Sequence, residues 1–235
     1  MKKRLVVGIS GASGAPLAVD LLREMQRHQE WETHLVVTDG AKRTIHEETD
    51  LSLADVEALA HVVYDVSDIG AAIASGTFRA EGMVIVPCSM KTLAGVATDY
   101  ADNLLLRAAD VMLKQRRKLV MCVRETPIHA LHLKNMQTVV ELGAVVLRKG
   151  HETVITDGYK TYVNRTGNAG MATGGSGDVL AGMLVSMLGQ GVPALEAAAC
   201  AAWLHGTAGD YCAAERGQYG LSPTDLIGML PYLLP

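Results

Sequence analysis

Five short apolar runs, each closing in a polar or glycine-bearing turn, constrain this chain more than any other feature. They are Arg4–Ser10 (RLVVGIS), Thr33–Thr38 (THLVVT), Met83–Ser89 (MVIVPCS), Lys118–Glu125 (KLVMCVRE) and Ala144–Leu147 (AVVL). Strands buried on both faces read as near-continuous Val, Ile and Leu, and helices between them demand a parallel sheet. The intervening segments carry helical signals. PLAVDLLREMQRH places Leu17, Leu21, Leu22 and Met25 on one stripe. SLADVEALA opens with Ser52 and Asp55 at capping-box spacing. IHALHLKNMQTVVELG is closed by Gly143.

After Gly150 the pattern changes. ETVITDGYKTYVN is two β-rich runs around Asp157-Gly158, a hairpin signal. A glycine-rich stretch, RTGNAGMATGGSGD, then feeds an apolar helix from about Val179. PALEAAACAAWLHGTAGDYCAAE reads as a long Ala-rich helix, and LSPTDLIGMLPYLL starts with Ser222 as N-cap and Pro223 at the first helical position. No Pro, Ser or charge run marks a linker where the pattern changes. The junction falls inside a strand, so one continuous sheet is expected rather than two separate domains. The expected fold is α/β: a three-layer, Rossmann-like, mostly parallel sheet with helices on both faces. A C-terminal β-hairpin and helices extend it, and the first half is expected to be doubly wound.

Composition bounds the function. Hydrophobic residues make up 49% and charged residues 20%, enough for a packed core, while aromatics are 4%, so that core is aliphatic. A net charge of −4 gives no electrostatic case for nucleic acid or an anionic membrane. No apolar run nears the roughly 20 residues that span a bilayer. The opening MKKRLVVGIS is read as a strand, not a signal peptide. Cys88, Cys122, Cys200 and Cys212 form no C-x-x-C pair, which points to buried thiols in a reducing cytoplasm. Cys88, at a strand end, reads as a buried small hydrophobe or as a reactive thiol. His129 and His132 are three apart without a carboxylate or cysteine cluster, so no metal is expected.

Chemistry is expected at the carboxyl ends of the strands, where parallel α/β sheets bind ligands. SGASG (Ser10–Gly14), TDGA (Thr38–Ala41), CSMKT (Cys88–Thr92) and RETP, which carries Arg124, all leave that edge. Glycines let backbone approach a phosphate, hydroxyls and helix starts add donors, and an arginine supplies a fixed fork. Read alone, the glycines fit a tight turn as well as a phosphate, and Lys91 fits a solvated loop lysine. In the second half, the turn at Gly177-Asp178 offers free N–H groups and a helix dipole to an anion. Asp178 there reads first as a helix cap, with a base as the alternative.

Residues Met1–Leu147 resemble the flavin prenyltransferases, formerly called aromatic acid decarboxylases. The motifs are GISGASGAPLAVDLL, ETHLVVTDGAKRTIHEETD, VPCSMKTLAGVATDYADNLLLRAADVMLKQRRKLVMCVRETPIHALHLKNM and ELGAVVL. The resemblance implies FMN binding and transfer of a dimethylallyl group to it. It implies FMN contacts at Gly11, Ala12, Ser13, Thr38, Ser89, Met90, Lys91, Thr92 and Arg124, and an acid near the reaction centre at Glu48. It also implies a homo-oligomer. That family continues after its fifth strand with a Pro-rich segment and a helix, whose Tyr and Arg hold the dimethylallyl phosphate. Nothing similar follows AVVL here.

Residues Val145–Pro235 resemble a different family, the C-terminal part of the ADP-dependent NAD(P)H-hydrate dehydratases, which are ribokinase-like. The motifs are LRKGHETVITDGYKTYVNRTGNAGMATGGSGDVLAGML and AAWLHGTAGDYCAAERGQYGLSPTDLIGMLP, with Ala169 where the family usually has Pro. This resemblance implies that Lys149, Gly150, His151, Glu152, Thr153 and Gly177 contact ADP or AMP, and that Asp178 is the catalytic acid/base. The long N-terminal portion of that enzyme is replaced. The chain is therefore expected to be a recombined or artificial chimera, joining fragment 1–147 to fragment 148–235. It is expected to bind a small-molecule ligand, FMN, through the first fragment, with neither parental site complete and prenyl transfer impaired or lost; the alternatives are an active flavin prenyltransferase and an ADP-binding dehydratase remnant.

Overall fold

The computed structural model describes residues 2–234. Its centre is one eight-stranded sheet in the order β3-β2-β1-β4-β5-β6-β7-β8. The strands are β1 (Lys3–Ile9), β2 (Trp31–Val37), β3 (Val62–Tyr64), β4 (Gly82–Cys88), β5 (Lys118–Val123), β6 (Val145–Arg148), β7 (Val154–Thr156) and β8 (Thr161–Val163). The first six are parallel, with the order reversing between β1 and β4. That is the doubly wound arrangement, whose switch point opens a crevice at the carboxyl edge. The last two are antiparallel.

The expected junction, after Leu147, falls within this hydrogen-bond ladder. Within β6, Val146, Leu147 and Arg148 pair with Met121, Cys122 and Val123 on one side, and with Thr156, Ile155 and Val154 on the other. The hairpin turns at Asp157-Gly158. Gly158 takes φ 87°, and the Asp157 carboxylate accepts N–H bonds from Tyr159 and Lys160 at 3.0 and 2.8 Å.

Strand alternation sorts the core into two layers. Val7, Ile9, Leu35, Val37, Val84, Val120, Val145 and Leu147 face one side. Their cover is α1 (Ala15–Gln26), α2 (Asp39–Glu48) and α3 (Leu53–Glu57), together with α7 (Ser176–Gly189), α8 (Ala194–Arg216) and α9 (Pro223–Leu233). Val6, Val36, Met83, Ile85, Leu119, Met121 and Val146 face the other side, under α4 (Met90–Ala97), α5 (Leu104–Lys114) and α6 (Ala130–Glu141). The C-terminal helices therefore share a core layer with α1, and α1 packs directly on α7.

Local signals are realised where they were read. The reciprocal Ser52–Asp55 capping box starts α3, Ser222 caps α9 with Pro223 inside, and Gly143 adopts φ 98° after α6. Three differences are seen. β3 is a three-residue edge strand, too short to show a period. α6 begins at Ala130, two residues after Ile128. α7 begins at Ser176, three residues before Val179, because Gly175 takes φ 86° and lets the glycine-rich loop enter the helix early. Cys88, Cys122 and Cys212 are buried, and desolvation pushes the Cys88 thiol up, as befits a small hydrophobe; Cys200, against expectation, is exposed on α8. His129 and His132 stack at 3.6 Å, and no group able to hold a metal occurs among the described residues. No described helix is long and apolar enough to cross a membrane.

Candidate functional site

The carboxyl edge is organised by short side chain-to-backbone bonds. Ser10 is buried, donates through Oγ to the Pro87 carbonyl at 3.0 Å, and accepts from the Ser89 N–H at 2.8 Å, tying the ends of β1 and β4 together. The loop after β1 presses backbone to backbone on the loop after β2: a Cβ on Gly11 would lie 2.8 Å from Gly40 Cα. Glu48, at the end of α2, reaches back across that loop. Its Oε2 accepts from the Gly14 and Ala15 N–H groups at 2.7 and 2.8 Å, closing the start of α1. Thr38 caps α2 through Ala41 N–H, and Ser89 caps α4 through Thr92 N–H.

Above these loops lies a cleft of about 1040 Å³ lined from both sides of the expected junction. Gly11, Ala12, Ser13, Ser89, Met90 and Arg124 line it from the first part of the chain, and Lys149, Gly150, His151, Glu152 and Thr153 from the second. Thr38, Glu48, Lys91, Thr92, Gly177 and Asp178 do not line it. Thr38 and Glu48 are engaged as helix caps, Thr92 is buried, and Lys91 is exposed on α4. Gly177 and Asp178 lie against its cationic wall. A Cβ at Gly177 would sit 3.2 Å from Lys149 Nζ and 3.3 Å from Arg124 Nη1.

Sequence reasoning missed the far wall, where Asn164, Thr166, Asn168 and His205 border the cleft. Asn164 Nδ2 donates to the Ala202 carbonyl at 3.0 Å, and Thr166 Oγ1 donates to the Trp203 carbonyl at 3.0 Å, fastening this loop to α8. Gly206 permits the approach, since a Cβ there would fall 2.1 Å from Thr166 Oγ1. Burial lowers the His205 imidazole to about 4, so it is neutral near pH 7, beside Ser176 at the start of α7. A single histidine in an Ala-rich helix carries no periodic or spacing signal for this role.

Charges converge where the two parts meet. Burial pushes the Asp178 carboxyl up to about 6; Asp20 and Glu48 add to the rise, and Arg124 and Lys149 oppose it. Burial, then Arg124, lowers Lys149, while Asp178 raises it. Asp178 is thus a carboxyl whose ionised form the fold disfavours. Because its folded pKa exceeds the ordinary value of 3.8, its favourable contribution is complete below about pH 3.8 and is lost as pH rises through about 6. Asp178→Asn is accordingly expected to raise Tm at pH 7.5 and to raise it much less at pH 4, where the folded carboxyl is protonated. Thermal unfolding at the two pH values checks this, and a lower Tm at pH 7.5 would contradict it.

Comparison with known proteins places both parts. The Flavoprotein family model matches residues 1–174, most of the chain, and the NAD(P)H-hydrate dehydratase model matches residues 117–232. Flavin prenyltransferase UbiX of Escherichia coli (strain K12) is 55% identical over 145 residues, which are 62% of this chain and 77% of the relative. Flavin prenyltransferase UbiX of Thauera aromatica is 56% identical over 144 residues, 61% of this chain and 74% of the relative. The crystal structure of AnUbiX (PadA1) in complex with FMN and dimethylallyl pyrophosphate matches with TM-score 0.61 and 47% identity, covering 62% of this chain and 77% of that one. The ADP/ATP-dependent NAD(P)H-hydrate dehydratase of Bacillus subtilis matches with TM-score 0.57 over 98% of this chain and 88% of its own. At 19% identity, that likeness is one of fold. The two family matches overlap between residues 117 and 174, from β5 through β8, giving the chain a chimera-like architecture.

Proposed function

We propose that this chain, which belongs to the flavoprotein family, binds FMN in the cleft above β1 and β4. We propose further that it is a recombined chimera whose prenyl-transfer activity is impaired or lost. The observation that carries the reading is the convergence of Gly11, Ala12, Ser13, Ser89, Met90 and Arg124 on one cleft. These residues come from three separate loops of the flavin prenyltransferase-like part. They match the FMN contacts that the family resemblance implies. At about 1040 Å³, the cleft is at the upper end of ordinary ligand pockets, so volume does not limit entry of a flavin mononucleotide. Arg124 takes part in no ion pair among the described residues and is free to meet an anion.

The impairment follows from what comes after β6. Alignment to the Escherichia coli relative covers 77% of it, so a substantial portion of that relative has no aligned counterpart here. In this chain β6 turns into the antiparallel β7. The Tyr and Arg that the resemblance assigns to the dimethylallyl phosphate have no equivalent. Prenyl transfer depends on positioning and on stabilising charge at the departing phosphate, so losing both groups costs orders of magnitude in rate.

Titration of FMN with protein is expected to quench flavin fluorescence saturably. Adding dimethylallyl phosphate to the complex with reduced FMN is expected to leave the absorption spectrum unchanged. No quenching would overturn the flavin reading; a spectral change would overturn the impairment. The dodecameric structure of the Escherichia coli O157:H7 UbiX-like protein supports a homo-oligomer here, which light scattering reads directly.

A second reading, an ADP-binding remnant of the dehydratase, is favoured by one observation. Lys149 through Thr153 line the same cleft, and Gly177-Asp178 opens α7 against Lys149. Calorimetry with ADP tests it, and absence of heat would reject it.

A further inference from the structure

Three of the helices that start around this edge are already closed: α1 by Glu48, α2 by Thr38 and α4 by Ser89. α7 is different. Its N-cap is Gly175, and no side chain caps it; the Ser176 and Asp178 N–H groups turn to the Thr173 and Gly175 carbonyls, which leaves the Gly177 N–H without a partner among the described residues. Cations ordinarily gather at helix C-termini, because the N-terminus is itself the positive end of the dipole. Here the reverse holds, with an ammonium and a guanidinium both closing on Gly177 in the first turn. Neither Arg124 nor Lys149 has an acidic partner within 4.0 Å among the described residues. Two side-chain cations and a helix start converge on one point beside a cleft, and the Asp178 carboxyl in the same turn is itself disfavoured in its ionised form, so an added anion relieves the arrangement.

The two cations come from different parts of the chain. Arg124 follows β5, in the flavin prenyltransferase-like portion, and Lys149 follows β6, at the junction. We propose that Arg124, Lys149 and the first turn of α7 grip one and the same phosphate group, so that FMN and an adenine nucleotide exclude one another from the cleft. Two sites carried in from two proteins would thereby have become a single composite one. The exclusion rests on the reading that FMN enters this cleft; the shared phosphate grip does not.

The test is FMN titration of the full chain at rising ADP, with riboflavin as the flavin that lacks a phosphate. The apparent Kd for FMN is expected to rise about tenfold when ADP stands at ten times its own Kd, as for simple competition. Riboflavin binding is expected to stay unchanged under the same ADP. Lys149→Met and Arg124→Met are each expected to weaken both FMN and ADP by about tenfold or more, as for loss of a charge-assisted contact. FMN and ADP bound together with unchanged affinities would overturn the proposal. So would a Lys149→Met variant that loses ADP alone. Should FMN fail to bind at all, the flavin reading falls by itself, and calorimetry with ADP and pyrophosphate then decides the grip. Displacement of ADP by pyrophosphate, together with weakened ADP binding in Arg124→Met, supports it. ADP binding indifferent to Arg124, or no binding of either probe, overturns it.

Discussion

Replacing Leu184 with alanine is expected to destabilise the whole molecule in one step, although Leu184 lies in the dehydratase-like portion. Leu184, in α7, is 1% exposed and belongs to the core layer that also holds Leu21, Leu22 and Val84 from the flavin prenyltransferase-like portion. Truncating a buried leucine removes its transfer free energy and leaves a cavity, at a cost of about 2–5 kcal/mol. For a chain of this size that corresponds to a fall in Tm of about 4–20 °C. The consequence peculiar to this molecule is cooperativity. One sheet joins strands of both parts, and α7 packs on α1, so neither part can lose its core layer alone. Calorimetry should show one transition in the parent and one, shifted, in the variant. Two transitions, with only the lower one moved by Leu184→Ala, would show that the parts unfold separately and that the shared layer contributes little.

The same division between local and long-range causes explains what the sequence could disclose. The Ser52–Asp55 box, the Gly143 stop and the turn at Asp157-Gly158 depend on residues within a few positions of one another, and each was readable from types and spacing. The sheet order was readable in outline because buried parallel strands announce themselves by apolar runs. The cleft was readable only in part. Gly11–Ser13, Ser89, Met90 and Arg124 were placed by loop position and resemblance, and they do meet. Thr38, Lys91 and Thr92 belong to the same motifs but sit away from the cleft wall, because capping α2, facing solvent and filling space beneath α4 hold them elsewhere. The approach of Lys149 and Arg124 to Gly177 depends on how α7 docks against α1, which no spacing encodes. His205 is the plainest omission, since its role depends on α8 crossing beside Ser176, 29 residues away in sequence.

Substituting Gly11 by alanine is expected to reduce FMN affinity by about tenfold or more and also to lower stability, whereas Gly40→Ala should do less of both. The two glycines touch through their backbones, and the asymmetry is in the contact. A Cβ on Gly11 would meet Gly40 Cα at 2.8 Å and its carbonyl carbon at 2.9 Å, distances that only backbone movement relieves. A Cβ on Gly40 would meet Gly11 Cα at 3.2 Å, which a shift of a few tenths of an ångström accommodates. Forcing an extra carbon into packed backbone costs about 1–3 kcal/mol. Gly11 lines the cleft and Gly40 does not, so the displaced loop in the first variant is the one that would hold the flavin. Once about 1.4 kcal/mol of that strain is expressed in the bound state, affinity falls tenfold. Flavin fluorescence titrations and thermal unfolding of both variants give the comparison. Gly11→Ala binding FMN as tightly as the parent would remove the β1 loop from the site, whatever its effect on Tm. Equal losses in the two variants would mean that the separation of the loops, and not the position of Gly11 in the cleft, sets the affinity.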